Sequence, residues 1–152
     1  MHSRIFQISK EPIKEEDYID MDDMPDSFYE KIADYVWSSS RESDIDWLKE
    51  KLTEVAEFSG DHFTIINKKK YFEDKYVRFI NKAKELENIS LEDFIEGKAG
   101  YIIYFLEAEE DDKWGFYVYQ SPGNYYETLD LFMRCAQEGK IYYIGNTLDY
   151  HF

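Results

Sequence analysis

The chain has 152 residues, enough for a single domain over 1–152 that buries roughly 70% of its unfolded surface. It carries 18 basic and 33 acidic residues, a net charge of −15, together with 14 Tyr, 11 Phe and 3 Trp. So many aromatics exclude a disordered acidic chain, and so negative a balance argues against direct binding to nucleic acid or to an anionic membrane.

Residues 3–8 alternate polar and apolar and predict a short strand. Residues 10–26 then change character. Eight acids (Glu11, Glu15, Glu16, Asp17, Asp20, Asp22, Asp23 and Asp26) face two lysines, and Pro12 and Pro25 bracket the stretch. An acidic loop or arm is expected there, a linker pinned by a few apolar residues or an interaction segment. Ser27, with Glu30 three residues on, predicts a capped helix from about 28 to 37 that is apolar at Phe28, Ile32, Tyr35 and Val36. A second helix runs through Ile45, Leu48, Leu52, Val55 and Ala56, with Gly60 as its stop.

His62–Ile66 reads as a strand. Asn67 then caps the longest helix, about 68–87, with Phe72, Tyr76, Phe79, Ile80, Ala83 and Leu86 along one face. Ser90 and Asp93 mark a short helix that ends before Gly97. Residues 100–107 and 113–119 read as a strand pair joined by the turn Glu109-Glu110-Asp111-Asp112. After the turn Ser121-Pro122-Gly123, Asn124 and Glu127 predict the capped start of a helix with the stripe Leu129, Phe132, Met133 and Ala136. Ile141–Ile144 is the last strand, and 147–152 a return strand or tail. The order β-α-α-β-α-α-β-β-α-β predicts an α+β fold, a mainly antiparallel sheet packed with four to five helices.

No residue is assigned a catalytic, cofactor-binding or metal-ligating role. His2, His62, His151 and Cys135 show no zinc spacing. Asp20-Met21-Asp22-Asp23 resembles the start of a calcium loop, but Pro25 stands where that loop needs Gly, and no Glu follows at the twelfth position. His62-Phe63-Thr64 resembles half of the paired His-x-Thr signature of two-histidine phosphoesterases, without a second copy, since His151 is followed only by Phe152. Carboxylate pairs are too numerous among 33 acids to point to a site. Met1–Gln7 lacks the apolar core of a signal peptide, and the longest apolar run, Tyr101–Leu106, is far below the ~20 residues that span a bilayer. The lone Cys135 allows no intrachain disulfide, so a reduced, cytoplasmic setting is expected.

Residues 124–135, Asn-Tyr-Tyr-Glu-Thr-Leu-Asp-Leu-Phe-Met-Arg-Cys, resemble the Tyr-Tyr…Leu-Asp helix start of the barstar family of small acidic ribonuclease inhibitors. The likeness covers about a dozen of the 152 residues and assigns no site residue.

The charge is polarised. Residues 67–84 hold seven cations, Lys68, Lys69, Lys70, Lys75, Arg78, Lys82 and Lys84, against Glu73 and Asp74, a balance of +5 that leaves −20 elsewhere. This helix is expected to relieve self-repulsion, to pair with the acidic arm, or to mediate homo-oligomers. A strongly acidic chain with surplus Tyr suits a basic protein partner, because charge steers the encounter and Tyr supplies rigid contact area. The expected function is that of a cytosolic inhibitor of a nuclease or nucleic-acid-binding protein, and the alternatives are a non-catalytic oligomerising or scaffolding domain and an enzyme with an unrecognised site. The expected contact residues are Asp17, Tyr18, Asp20, Asp22, Asp23, Glu109, Glu110, Asp111, Asp112, Tyr117 and Tyr119.

Overall fold

A computed structural model describes all 152 residues. The alternation at the N-terminus builds β1 (His2–Ser9), and both of its faces are buried. Phe6 and Ile8 enter one hydrophobic core and Ile5 a second. The fold is therefore a sheet with apolar packing on both sides, which classes it as α+β.

The expected helix over 28–37 divides. α1 (Asp26–Lys31) stops early, and β2 (Tyr35–Ser38) follows as a strand. Only Val36 of β2 is buried, so Tyr-Val-Trp alternates as a strand does. α2 (Arg41–Lys51) ends before Ala56, because Ala56–Ser59 forms β3 and pairs with β4 (His62–Ile65). Gly60, at φ 60°, is thus the hairpin turn and not a helix stop.

α3 (Lys68–Glu87) forms as expected, with the Lys70 amide donating to Asn67 Oδ1 at 3.1 Å. α4 (Leu91–Ile95) is capped by Ser90, whose hydroxyl accepts from the Asp93 amide at 3.0 Å. Residues 100–107 form no strand. They lie in α5 (Lys98–Glu110), which packs against α3. A short apolar run without alternation fits either state, and here its neighbours decide. Glu109 and Glu110 accordingly close a helix and do not turn a hairpin.

β5 (Tyr117–Gln120) pairs with β6 (Tyr125–Thr128), so Asn124 and Glu127 cap nothing. α6 (Leu129–Cys135) starts four residues later than expected, with Thr128 Oγ1 accepting from the Leu131 amide at 3.2 Å. The segment likened to the barstar family is thus part strand and part helix. β7 (Ile141–His151) is one continuous strand through the stretch expected to be a return strand or tail.

The sheet order is β3-β4-β7-β1-β5-β6. β7 pairs with β4 through its first residues and with β2 through its last. Only the central β1–β5 pair is parallel. On one face, α2, α6 and Tyr71 of α3 close a core around Phe6, Leu48, Phe63 and Met133. On the other, Ile19, Met24 and Phe28 close a core around Ile5, Leu148 and Tyr150. The second core therefore has the acidic segment itself as its lid.

Candidate partner-binding surface

Two single-turn 3-10 helices, Glu15–Asp17 and Met21–Asp23, give residues 10–26 a defined path across the sheet. Asp20 and Asp23 cap the second turn reciprocally. The Asp22 amide donates to Asp20 Oδ1 and the Asp20 amide to Asp23 Oδ2, both at 2.8 Å. Ile19 and Met24 point down into the core.

Beneath them lies Gln7, 1% exposed. Its Nε2 donates to the Asp17 carbonyl at 2.8 Å, and its Oε1 accepts from the amides of Ile19 at 3.2 Å and Asn146 at 3.0 Å. Asn146 Nδ2 in turn donates to the Ile19 carbonyl at 2.7 Å. A buried amide with every polar atom paired is costly to disturb, so the segment is fastened to β1 and β7 at its middle.

All eight carboxylates of the segment are exposed. Only Glu16 has an ion-pair partner, Lys14 at 3.8 Å, and both of those side chains are mostly in water. The outer surface is consequently an ordered plate of net charge −6 on which Asp20 and Asp23 cap a turn, Glu16 faces Lys14, and the other carboxylates have no ion-pair partner. Two tyrosines border it. Tyr18 is half-buried beneath the Arg41 guanidinium, 5.4 Å from its ring centre. Tyr29, on α1, donates to the Met21 carbonyl at 2.9 Å, and its hydroxyl is held above the usual range by burial and by Asp22. The sequence reading missed Tyr29, although its place one residue after the buried Phe28 turns it about 100° round the helix, off the buried face.

Tyr117 and Tyr119 do not reach this surface. They are 3% and 4% exposed and form the floor under the segment. Tyr117 packs edge-on against Phe28 at 5.2 Å and Tyr150 at 5.7 Å. Burial pushes both hydroxyls up, and the charge of Asp23 adds to this at Tyr119. A sheet covered on both faces buries both sets of an alternating strand, so alternation alone could not mark these residues as exposed.

Glu109–Asp112 lies elsewhere, against the helical layer on the opposite face. Glu109 accepts from Arg78 in a two-pronged pair at 2.6 and 2.9 Å. Glu110 lies 3.6 Å from Arg134. Asp111 accepts from the Thr128 hydroxyl that caps α6. The Asp112 amide donates to Asp130 at 2.6 Å, and burial holds its carboxyl above the usual range. These four acids have protein partners already, and they share no surface with residues 17–23. The cations of α3 pair with Glu54, Glu85, Glu109 and Asp130, not with the acidic segment.

No group of three or more His, Cys, Asp or Glu is placed to hold a metal ion. His62 lies beside Asp61 and Tyr143, outside the principal clefts. Through its pairing with Tyr143 it sits eight residues along β7 from His151, about 26 Å away. The two His-x elements are therefore not one site. No helix is long and apolar enough to cross a membrane. Compared with protein families, curated proteins and solved structures, the chain finds no match.

Proposed function

We propose that the protein is an acidic, cytoplasmic binding protein that docks on and inhibits a basic protein, such as a nuclease or another nucleic-acid-binding protein. The observation that supports this is the plate over residues 10–26. Its carboxylates are held on a fixed backbone and face water, and only Glu16 among them has a cation of the chain beside it. A basic surface that binds phosphates meets there a row of preordered anions, and the ordering entropy is already spent in the fold. Tyr18 and Tyr29 at the border supply aromatic area of the kind that anchors protein interfaces.

The test is capture from native lysate by the wild-type protein beside a variant carrying Glu15→Gln, Glu16→Gln, Asp17→Asn and Asp22→Asn. Those four side chains cap no turn and receive no buried hydrogen bond. A basic protein retained by the wild type, lost with the variant, released by salt and inhibited in its own activity is the expected result. Equal retention by both proteins, or retention unaffected by salt, refutes the proposal.

A further inference from the structure

Where β1 begins and β7 ends, two histidines stand opposite each other. His2 pairs with His151 in the antiparallel register. One step further out, the Phe152 amide donates to the Met1 carbonyl at 3.0 Å. His2 and His151 are therefore a pair without mutual backbone hydrogen bonds, the kind that brings side chains closest. Their ring centres are 5.0 Å apart, with the planes at 67°. Alternation along β1 puts His2 and Arg4 on the Phe6 side of the sheet, away from the acidic plate. Nearly the whole chain separates the two histidines, so no spacing in the sequence announces them.

Each ring is oriented by its own carboxylate. His2 Nδ1 meets Asp149 Oδ2 at 2.8 Å, and His151 Nδ1 meets Asp34 Oδ2 at 3.2 Å. A carboxylate only accepts, so in the neutral imidazoles each Nδ1 carries the hydrogen and each Nε2 keeps its lone pair. Asp149 is itself held by Arg4, and Tyr35 of β2 stacks on His151 with the rings 2° from parallel. His151 Nε2 already faces a cation, the Met1 ammonium, at 3.3 Å.

A metal-binding histidine has this arrangement: Nε2 toward the ion, and Nδ1–H toward a carboxylate that fixes the ring and raises its basicity. The spacing agrees. Two imidazoles bound to one tetrahedral ion through bonds of about 2.0–2.1 Å have ring centres about 5 Å apart. Imidazole suits Zn²⁺ and Cu²⁺. The surroundings suit a dication, since Asp34, Asp149 and the buried Asp44 stand beside one cationic side chain, Arg4, in a chain of net charge −15. His62 supplies the contrast, with Asp61 at 3.8 Å and a tyrosine as its ring neighbour.

We infer that His2 and His151 hold one divalent transition-metal ion between their Nε2 atoms. Asp149 and Asp34 are the positioning residues, and water completes the shell. The two histidines meet only in the folded chain, so the ion binds the folded state and stabilises it.

Isothermal titration calorimetry of the metal-stripped protein with Zn²⁺ tests this, beside melting curves with zinc and with a chelator. The wild type is expected to take up one ion per chain and to melt higher with zinc. His2→Gln and His151→Gln should each weaken binding by about 10-fold or more and remove the melting shift. Asp34→Asn, whose carboxylate pairs only with His151, should weaken it by about 10-fold. His62→Gln should leave it unchanged. His2 is exposed, so its variant decides the question if His151→Gln fails to fold. No saturable uptake of zinc overturns the inference. Uptake that survives both histidine changes also overturns it, and assigns the zinc to the acidic surface. Loss with one histidine variant while the other, folded, binds as the wild type does overturns the shared site.

Discussion

Gln7 holds Ile19 from below: its Oε1 accepts from the Ile19 amide while its Nε2 donates to the carbonyl of Asp17, two residues earlier. One buried side chain thereby turns a highly charged stretch into an ordered cover. Replacing it with Met, which keeps the length but not the hydrogen bonds, is expected to destabilise the protein by about 1–3 kcal/mol. Urea unfolding measures the loss, and amide exchange at Ile19 and Asn146 should speed up more than exchange in α3.

Gly145 carries the same prediction from the other side. A Cβ there would lie 2.3 Å from Gln7 Oε1 and 3.0 Å from Ile13 Cδ1. The Gln7 amide cannot swing aside without losing its partners, so Gly145→Ala should reproduce the local exchange signature. Since both changes break one network, the double variant with Gln7→Met should cost clearly less than the two single losses added.

Asp44 is 2% exposed and accepts from Arg4 Nε at 2.6 Å, Thr147 at 2.7 Å and Ser39 at 2.5 Å. It ties α2 to β7 and to the segment after β2. Asp44→Ala leaves the half-buried Arg4 guanidinium with Asp149 and the Ser3 carbonyl and removes three hydrogen bonds to a buried carboxylate, an expected cost of about 2–3 kcal/mol. Thr147→Val removes a single donor and should cost about 1 kcal/mol in the same denaturation assay.

The pH dependence of Asp112 has an unusual sign. Burial raises its folded pKa above the unfolded value, outweighing the pull of Lys75 and Lys51. The folded state then holds the proton more tightly than the unfolded chain, so the ionised side chain costs stability at neutral pH. That cost vanishes as pH falls through the folded pKa to the ordinary carboxylate range. Asp112→Asn keeps an acceptor for the Trp114 amide. It should melt higher than wild type at pH 7, and the gap should close below about pH 3.5.

What was legible in the sequence, and what was not, divides along physical lines. The Asn67 cap and the stripe from Phe72 to Leu86 announce α3 because both signals are local. The alternation of residues 3–8 announces β1 for the same reason. The run Tyr101–Leu106 misleads because its aromatic and β-branched residues favour strands, and packing against α3 overrides that preference. The charge of residues 10–26 is plain in the sequence, but their seat on the sheet depends on Gln7 and Asn146, more than a hundred residues apart. Long-range ties of that kind leave no periodicity to read, and so the sequence does not show that Tyr117 and Tyr119 form the floor.

Amide hydrogen exchange of the protein, alone and bound to the basic protein it retains, tests the central claim most directly. Protection gained across Ile13–Asp26 and at Tyr29, with α3–α5 unchanged by the partner, is the predicted footprint. Protection confined to α3–α5 or to the Glu109–Asp112 corner, with residues 13–26 exchanging as in the free protein, would contradict it.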